Sequence, residues 1–431
     1  MFEVDKKMEM FCENERWEKE IEKLISKGVK PLELSQFTTG TFRTRLAYDM
    51  LNGNYRVTPP HVALIPKDKP GEFRKVYVNT VLDRLMLGLI NSVYYDLYTE
   101  EIHPRCVSYR KGVGVNKIIK DVCHAITQNQ YTGYKVDLSK YFDSVNQTTL
   151  DKVLKKFSSN SCIDKIVWDY YHDNLIMNEN DELEEKYKSL AQGCAVAAFL
   201  ANVTLRDVDE AMSTMVPVYY RYSDDILIIG PEADKALDTL KIMLVEKGLS
   251  LNPRKIEKLS ADKWFTFLGS KIRGNTVSLS KQSLKEFCKK IKKETVQKSL
   301  KPVSEAELRK MIKNINKYLY FNHLQNDKVF GWSQYFFGIM NSEEDIQAID
   351  MWVKDLLRSM LTGKHRIGGI GSIDNQRTYA VVRGKGRNVR ANLEKVDGEK
   401  LRNLGYVSMM HMYRCYHTSK ELFNSQVWLM K

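Results

Sequence analysis

The stretch Tyr219-Tyr220-Arg221-Tyr222-Ser223-Asp224-Asp225-Ile226-Leu227-Ile228-Ile229-Gly230 constrains this chain most. It reads as a β-hairpin: an aromatic strand, a tight turn with two adjacent aspartates, then an aliphatic strand. Successive strand residues point to opposite faces, so both carboxylates serve one site only if they sit on the turn. Two anions beside such an apolar run repel each other, and desolvating them costs several kcal/mol. A divalent cation removes that problem. Taken alone, the dipeptide is equally compatible with a solvated turn.

The chain has 431 residues, 43% of them hydrophobic, enough for two or three domains. Its formal charge of +13 points to a polyanionic partner, nucleic acid before an acidic membrane surface. The 23 Tyr and 6 Trp offer stacking faces, although most aromatics pack cores. Seven scattered cysteines with no Cys-x-x-Cys argue against a disulfide framework or zinc site and fit a reducing, cytoplasmic setting. Residues 1–20 are dense in both charge signs and do not read as a signal peptide. No apolar run approaches ~18 residues, so no membrane span is expected.

Residues 1–60 read as a helical lead-in, ended by Pro59-Pro60. Val62–Ile65 and Phe73–Val78 read as a hairpin with Lys67, Lys69, Arg74 and Lys75 at its tip, a cluster suited to phosphate or to plain solubility. Thr80 and Asp83 form a capping-box pattern ahead of a helix. Ser108–Gly114 adds basic and glycine-rich backbone, a weak phosphate-loop signal, and no P-loop occurs. Tyr134–Val145 reads as a short strand ending in Asp137, then a turn; a carboxylate at a strand end can hold a metal, but by itself that aspartate is better explained as a cap or turn residue. Residues 147–190 read as mostly helical. Gln192-Gly193 is a turn into a helix of small residues, which either packs on a sheet or lets a base pair approach. Trp264–Ile272 reads as one strand. From 280 the chain becomes lysine-rich and helical, with stripes at Leu308–Leu319 and Ile346–Met360. Residues 362–431 begin Gly-rich (Gly368, Gly369, Gly371) and continue through the basic stretch Arg383–Arg390.

Asp137, Gln192-Gly193, Asp224-Asp225, Lys255 and Phe267-Leu268-Gly269 occur in an order that resembles the palm motifs of reverse transcriptases. Ile65-Pro66-Lys67, Arg74 and Asp83-Arg84 are similar to the fingers of the bacterial branch related to group II introns. Gly331–Phe336 with the following helix is similar to that branch's thumb. The resemblance implies an α+β right-hand polymerase: a helical lead-in over 1–60, fingers and palm over 61–280, a helical thumb over 281–361 and a basic extension over 362–431. It implies that Asp137, Asp224 and Asp225 hold two Mg²⁺ ions. It further implies that Lys67 and Arg74 neutralise the dNTP triphosphate, that Gln192 and Gly193 position the nucleotide, and that Lys255 protonates pyrophosphate. Phe142, five residues after Asp137, stands where RNA-making relatives carry an aspartate; an aromatic ring there excludes a 2′-hydroxyl and implies a DNA product. Ala197-Ala198 depart from the family's Ser-Pro, which puts primer handling in doubt more than activity.

Among relatives, the absence of a nuclease module, of a retron Val-Thr-Gly motif and of the diversity-generating Ser-Gln variant makes the chain most similar to stand-alone antiphage reverse transcriptases. That resemblance implies a non-coding RNA template, a DNA product or primer and dNTPs as partners. The alternatives are a group II intron maturase without its nuclease and a structural RNA-binding protein with a vestigial site. The intact carboxylates and aromatic gate argue against the last.

Overall fold

The computed structural model describes residues 5–67, 71–110, 113–299, 301–320, 323–325, 328–363 and 392–429. Asp68, Lys69 and Pro70 of the first hairpin tip, Lys111-Gly112, the glycines at 368, 369 and 371 and the basic stretch 383–390 lie outside them. Helices and sheets mix throughout, the α+β class expected from the sequence. The chain divides into two compact units: residues 1–113 with 132–259, and residues 114–131 with 260–431.

The first unit holds two four-stranded sheets. One is built from β1 (His61–Pro66) and β2 (Phe73–Val78), with β4 (Leu175–Met177) and β5 (Leu183–Glu185), in the order β2-β1-β4-β5. The expected first hairpin is therefore present. The stretch 175–185, read as helical, is instead a second hairpin. Asn174 and Asp181 both have positive φ, the turn geometry Asn and Asp tolerate, and this breaks the helix after His172.

The second sheet contains β3 (Gly133–Asp137), β6 (Val218–Tyr222), β7 (Asp225–Ile229) and β8 (Glu257–Leu259). Its order is β6-β7-β3-β8, and every pairing is antiparallel. Ile226, Leu227, Ile228 and Ile229 are fully buried, as expected of a strand covered on both faces. Ile226 and Ile228 join a core with Leu85, Ile90 and Val93 of the Val81–Tyr98 helix and Phe199 and Leu200 of the Ala197–Thr204 helix. The capping box is real: Thr80 Oγ1 accepts from the Asp83 N–H at 3.2 Å and donates to Asp83 Oδ2 at 2.7 Å. Asp83 also accepts from the Thr58 N–H at 3.2 Å and the Tyr55 hydroxyl at 2.7 Å, which pins the lead-in to this helix.

The second unit has a three-stranded sheet, β9 (Phe265–Phe267), β10 (Ser270–Arg273) and β11 (Thr276–Leu279), ordered β11-β10-β9. The single strand expected over Trp264–Ile272 is two strands. Leu268 and Gly269, with φ of +48° and +75°, make the tight hairpin turn between them. The helices Lys281–Glu294, Glu305–Tyr320 and Glu343–Thr362 bury the expected stripes, including Leu308, Ile312, Ile315, Ile349, Trp352 and Leu356. Val396, Leu401, Leu404, Tyr406 and Met409 enter the same core, and Asp350 accepts from the Tyr406 hydroxyl and the Met409 N–H, both at 2.8 Å. Among the described residues no helix is long and apolar enough to cross a membrane.

Candidate active site

The register of the second sheet assembles the carboxylates. Asp137, the last residue of β3, pairs directly with Asp225, the first residue of β7. Such opposed residues have Cβ atoms roughly 5 Å apart. Asp224 occupies the turn after Ser223, whose φ is +59°, and its carbonyl accepts from the Leu138 N–H at 3.0 Å. So only one aspartate is on the turn; the other opens the strand, and β3 supplies the third.

Burial, then the charges of Asp137 and Asp225, push the Asp224 carboxyl above the usual carboxylate range. Burial also raises Asp225, against the opposing pull of Lys135, whose Nζ lies 3.5 Å from its carboxylate. Lys255 Nζ donates to Asp137 Oδ2 at 2.7 Å. Burial lowers the Lys255 pKa, but the three carboxylates outweigh it and hold the ammonium above its ordinary value. Among the described residues no three His, Cys, Asp or Glu side chains converge in metal-ligating geometry. Asp137 and Asp225 are paired across the strands with Asp224 next in the chain, and their hard carboxylate oxygens are the donor type a hard divalent cation takes. Lys135 and Lys255 carry the compensating charge here, and Lys135 was not anticipated from the sequence.

After Asp137 the chain turns through Lys140, at φ +46°, into the segment that carries Tyr141 and Phe142. The Tyr141 hydroxyl donates to the Ala201 carbonyl at 2.6 Å, and the Phe142 carbonyl accepts from the Leu190 N–H at 3.0 Å. Phe142 is half-buried, its ring edge-on to Tyr141 at 5.6 Å. Asp143 follows; burial raises its carboxyl, and Lys75, Lys140 and Lys67 oppose that. Lys67 lies 3.9 Å from Glu72, and Arg74 is exposed on β2. Burial, then Lys186, lowers the Lys75 pKa. Of this basic group the sequence reading had singled out Lys67, Arg74 and Lys75 but not Lys140.

Gln192-Gly193 docks on β2. The Gln192 carbonyl accepts from the Tyr77 N–H at 2.7 Å. Gly193 has φ +109°, and a Cβ there would stand 2.6 Å from both the Tyr77 carbonyl oxygen and Val76 Cγ1. What approaches this turn closely is thus a strand. The Ala197–Thr204 helix behind it is buried in the core, so its small residues serve packing. Gly193→Ala is expected to destabilise the protein by about 1–3 kcal/mol through backbone strain and overpacking. A urea midpoint unchanged from the parent would contradict this. Phe267-Leu268-Gly269 belongs to the second unit, at the β9–β10 turn.

Arg221, inside the aromatic strand, is fully buried. Its Nε and Nη2 donate to the two Asp209 oxygens, each at 2.6 Å, and Nη2 also donates to the Asn202 carbonyl at 2.8 Å. Burial disfavours its charge, but Asp209 holds the pKa well above the ordinary value. The Tyr219 hydroxyl donates to Asp209 at 2.7 Å. This pair ties β6 to the Arg206–Met215 helix directly behind the aspartates. Its sequence signal was a cation within a strand otherwise too apolar to leave it unpaired.

Residues 65–272 match the model of the family described as reverse transcriptase (RNA-dependent DNA polymerase). No curated protein matches significantly. Among solved structures, the chain is similar to apo telomerase from Candida tropicalis at 13% identity and a TM-score of 0.42, over 75% of this chain and 63% of that one. A Candida albicans telomerase with a fragment of telomeric RNA matches at 13% identity and a TM-score of 0.41, over 61% of this chain and 54% of that one. An insertion-loop deletion mutant of a human picobirnavirus RNA-dependent RNA polymerase matches at 12% identity and a TM-score of 0.41, over 70% of this chain and 64% of that one. The chain thus covers less than two thirds of each of these. Residues 65–272, just under half of the chain and holding all three aspartates, Phe142 and the Gln-Gly turn, are thus similar to a reverse transcriptase domain.

Proposed function

We propose that this protein copies an RNA template into DNA by adding deoxynucleotides to a primer hydroxyl. The observation that carries the reading is the register of Asp137 against Asp225 beside Asp224, within the matched domain. Asp137, Asp224 and Asp225 would hold divalent cations, two Mg²⁺ ions in this reading, which would supply acidification of the attacking hydroxyl and charge stabilisation of the leaving pyrophosphate. Lys67 and Arg74 neutralise the triphosphate, joined by Lys75 and Lys140 around Asp143. Gln192 and Gly193, fixed on β2, shape the nucleotide pocket. Lys255, whose Nζ lies 2.7 Å from Asp137, is the proton donor to pyrophosphate in this reading. Residues 61–280 act as fingers and palm and 281–361 as thumb. The sequence resemblance supports placement in the group II intron-related branch, a dedicated non-coding RNA template and an antiphage role in the cytoplasm.

Purification with bound nucleic acid, followed by labelled dNTPs and Mg²⁺, tests the reading. A DNA product complementary to one small RNA, absent from the Asp224→Ala, Asp225→Ala variant, is the expected result. Bound RNA with no dNTP incorporation would reject it and favour an RNA-binding role. Phe142→Ala is expected to relax sugar selection. Removing a clash the size of a hydroxyl is worth about 1–3 kcal/mol, so the preference for dNTP over rNTP falls roughly 10- to 200-fold. Single-nucleotide incorporation with matched dNTP and rNTP measures it; an unchanged ratio removes Phe142 from the gate.

A further inference from the structure

Lys135, which balances charge beside Asp225, shares a strand face with the carboxylates. Alternate residues of β3 point the same way, so Lys135 stands one pleat before Asp137. The register gives it two neighbours across the strands: Leu227 of β7 on one side and Glu257 of β8 on the other. Leu227 is fully buried and apolar. Glu257 is half-buried, and burial raises its carboxyl against the pull of Lys135.

Directly opposed residues have Cβ atoms roughly 5 Å apart and diagonal ones roughly 7–8 Å. Glu257 is directly opposite Lys135, whereas Asp225, opposite Asp137, is on the diagonal. The ammonium takes the diagonal partner, with Nζ 3.5 Å from Asp225 Oδ1. The nearer carboxylate is left over: among the described residues Glu257 makes no side-chain hydrogen bond or ion pair. A half-buried carboxylate without a donor is costly. One lysine thus stands between two carboxylates and satisfies the farther one.

Asp225 has a second claimant. A divalent cation on its oxygens would repel an ammonium held so close. Lys255, beside Asp137, can swing into solvent, because its side chain is 57% exposed. The Lys135 side chain is only 19% exposed and lies within the sheet face, so it needs another anion. Glu257 is that anion, and rotation of the Lys135 side chain reaches it.

We propose that Lys135 exchanges its ion pair from Asp225 to Glu257 when a divalent cation binds the aspartates, so that Glu257 raises the metal affinity without ligating the metal. This rests on the polymerase reading of the same carboxylates. In the metal-free protein the lysine offsets the repulsion of Asp225 by Asp137, and on binding the cation takes over that balance. Lys135 and Glu257 are positioning residues that act through Asp225.

The test uses the full chain freed of nucleic acid, with Mn²⁺ alone as the probe; the electron paramagnetic resonance of unbound Mn²⁺ gives the affinity. Glu257→Gln keeps the shape and removes the charge. It is expected to weaken Mn²⁺ binding about fivefold, the scale of one partly exposed ion pair. Lys135→Met removes the competing ammonium and should tighten binding by a similar factor, while lowering the metal-free melting temperature. The double variant decides: in the Lys135→Met background, Glu257→Gln should change Mn²⁺ affinity by less than about twofold. If Lys135→Met does not fold, Lys135→Gln replaces it in the cycle. Equal Mn²⁺ affinity in the parent and Glu257→Gln, or the same loss with and without Lys135, would overturn the proposal. So would a parent that takes up no Mn²⁺. Primer extension with dNTPs, read separately, judges the polymerase reading. A parent that binds Mn²⁺ with this pattern but incorporates nothing defeats that reading and leaves the exchange standing.

Discussion

Asp224→Asn is expected to lower nucleotide incorporation by about a thousandfold or more, the scale of losing a group that stabilises transition-state charge. The same change should raise the melting temperature of the metal-free protein, on the order of 2 °C. The two effects share one cause. Burial and the neighbouring carboxylates raise the Asp224 and Asp225 pKa values in the folded state. For a carboxyl raised on folding, stability is greatest below the unfolded value, about 3.9 for Asp, and falls as pH rises through the folded value. An amide carries no charge, so the stability gain should be largest at neutral pH and vanish toward pH ~3. Mg²⁺ should raise the melting temperature of the parent more than that of the variant, since a ligand bound only by the folded state stabilises it. Scanning calorimetry at several pH values, with and without Mg²⁺, measures all of this. A variant destabilised at neutral pH, or a parent indifferent to divalent cations, would contradict the assignment of these carboxylates.

Arg221→Met should destabilise the protein by about 3–5 kcal/mol, the largest stability effect expected of a single substitution here. Asp209 is fully buried and, among the described residues, would keep the Tyr219 hydroxyl as its side-chain donor. The Asn202 carbonyl would lose its donor as well. Asp209→Ala should cost a similar amount, because the guanidinium is then the uncompensated charge. The double variant Arg221→Met, Asp209→Leu removes both charges and should recover much of the loss, as apolar replacements of buried pairs do. Urea denaturation of the four proteins gives the coupling energy. Single variants within about 1 kcal/mol of the parent would mean that the pair does not hold β6 in place.

What could be read from the chain followed the strength of local patterns. The hairpin at 218–229 was legible because four consecutive aliphatic residues next to a polar turn admit few other structures. The stripes at Leu308–Leu319 and Ile346–Met360 were legible because a helical period repeats over several turns. The stretch 175–185 differs from the helical reading because strands of three residues, Leu175–Met177 and Leu183–Glu185, carry almost no period of their own. They are strands because β1 offers β4 an edge to pair with. The β9–β10 turn was missed because Leu268 is a poor turn former; its positive φ is imposed by the pairing on either side.

The sequence by itself determined which residues carry charge and which strands must be buried, because hydrophobic period and the cost of desolvating carboxylates are local properties. It also named Asp137, Asp224, Asp225 and Phe142, through the order of motifs. Only the tertiary structure decided that Asp137 faces Asp225, that Lys135 and Lys255 balance them, and that Asp209, twelve residues before Arg221, is its partner. It also decided that Gly193 lies under a strand and that Glu257 stands opposite Lys135. These depend on strand register and long-range packing, which bring together residues whose local sequence carries no record of each other.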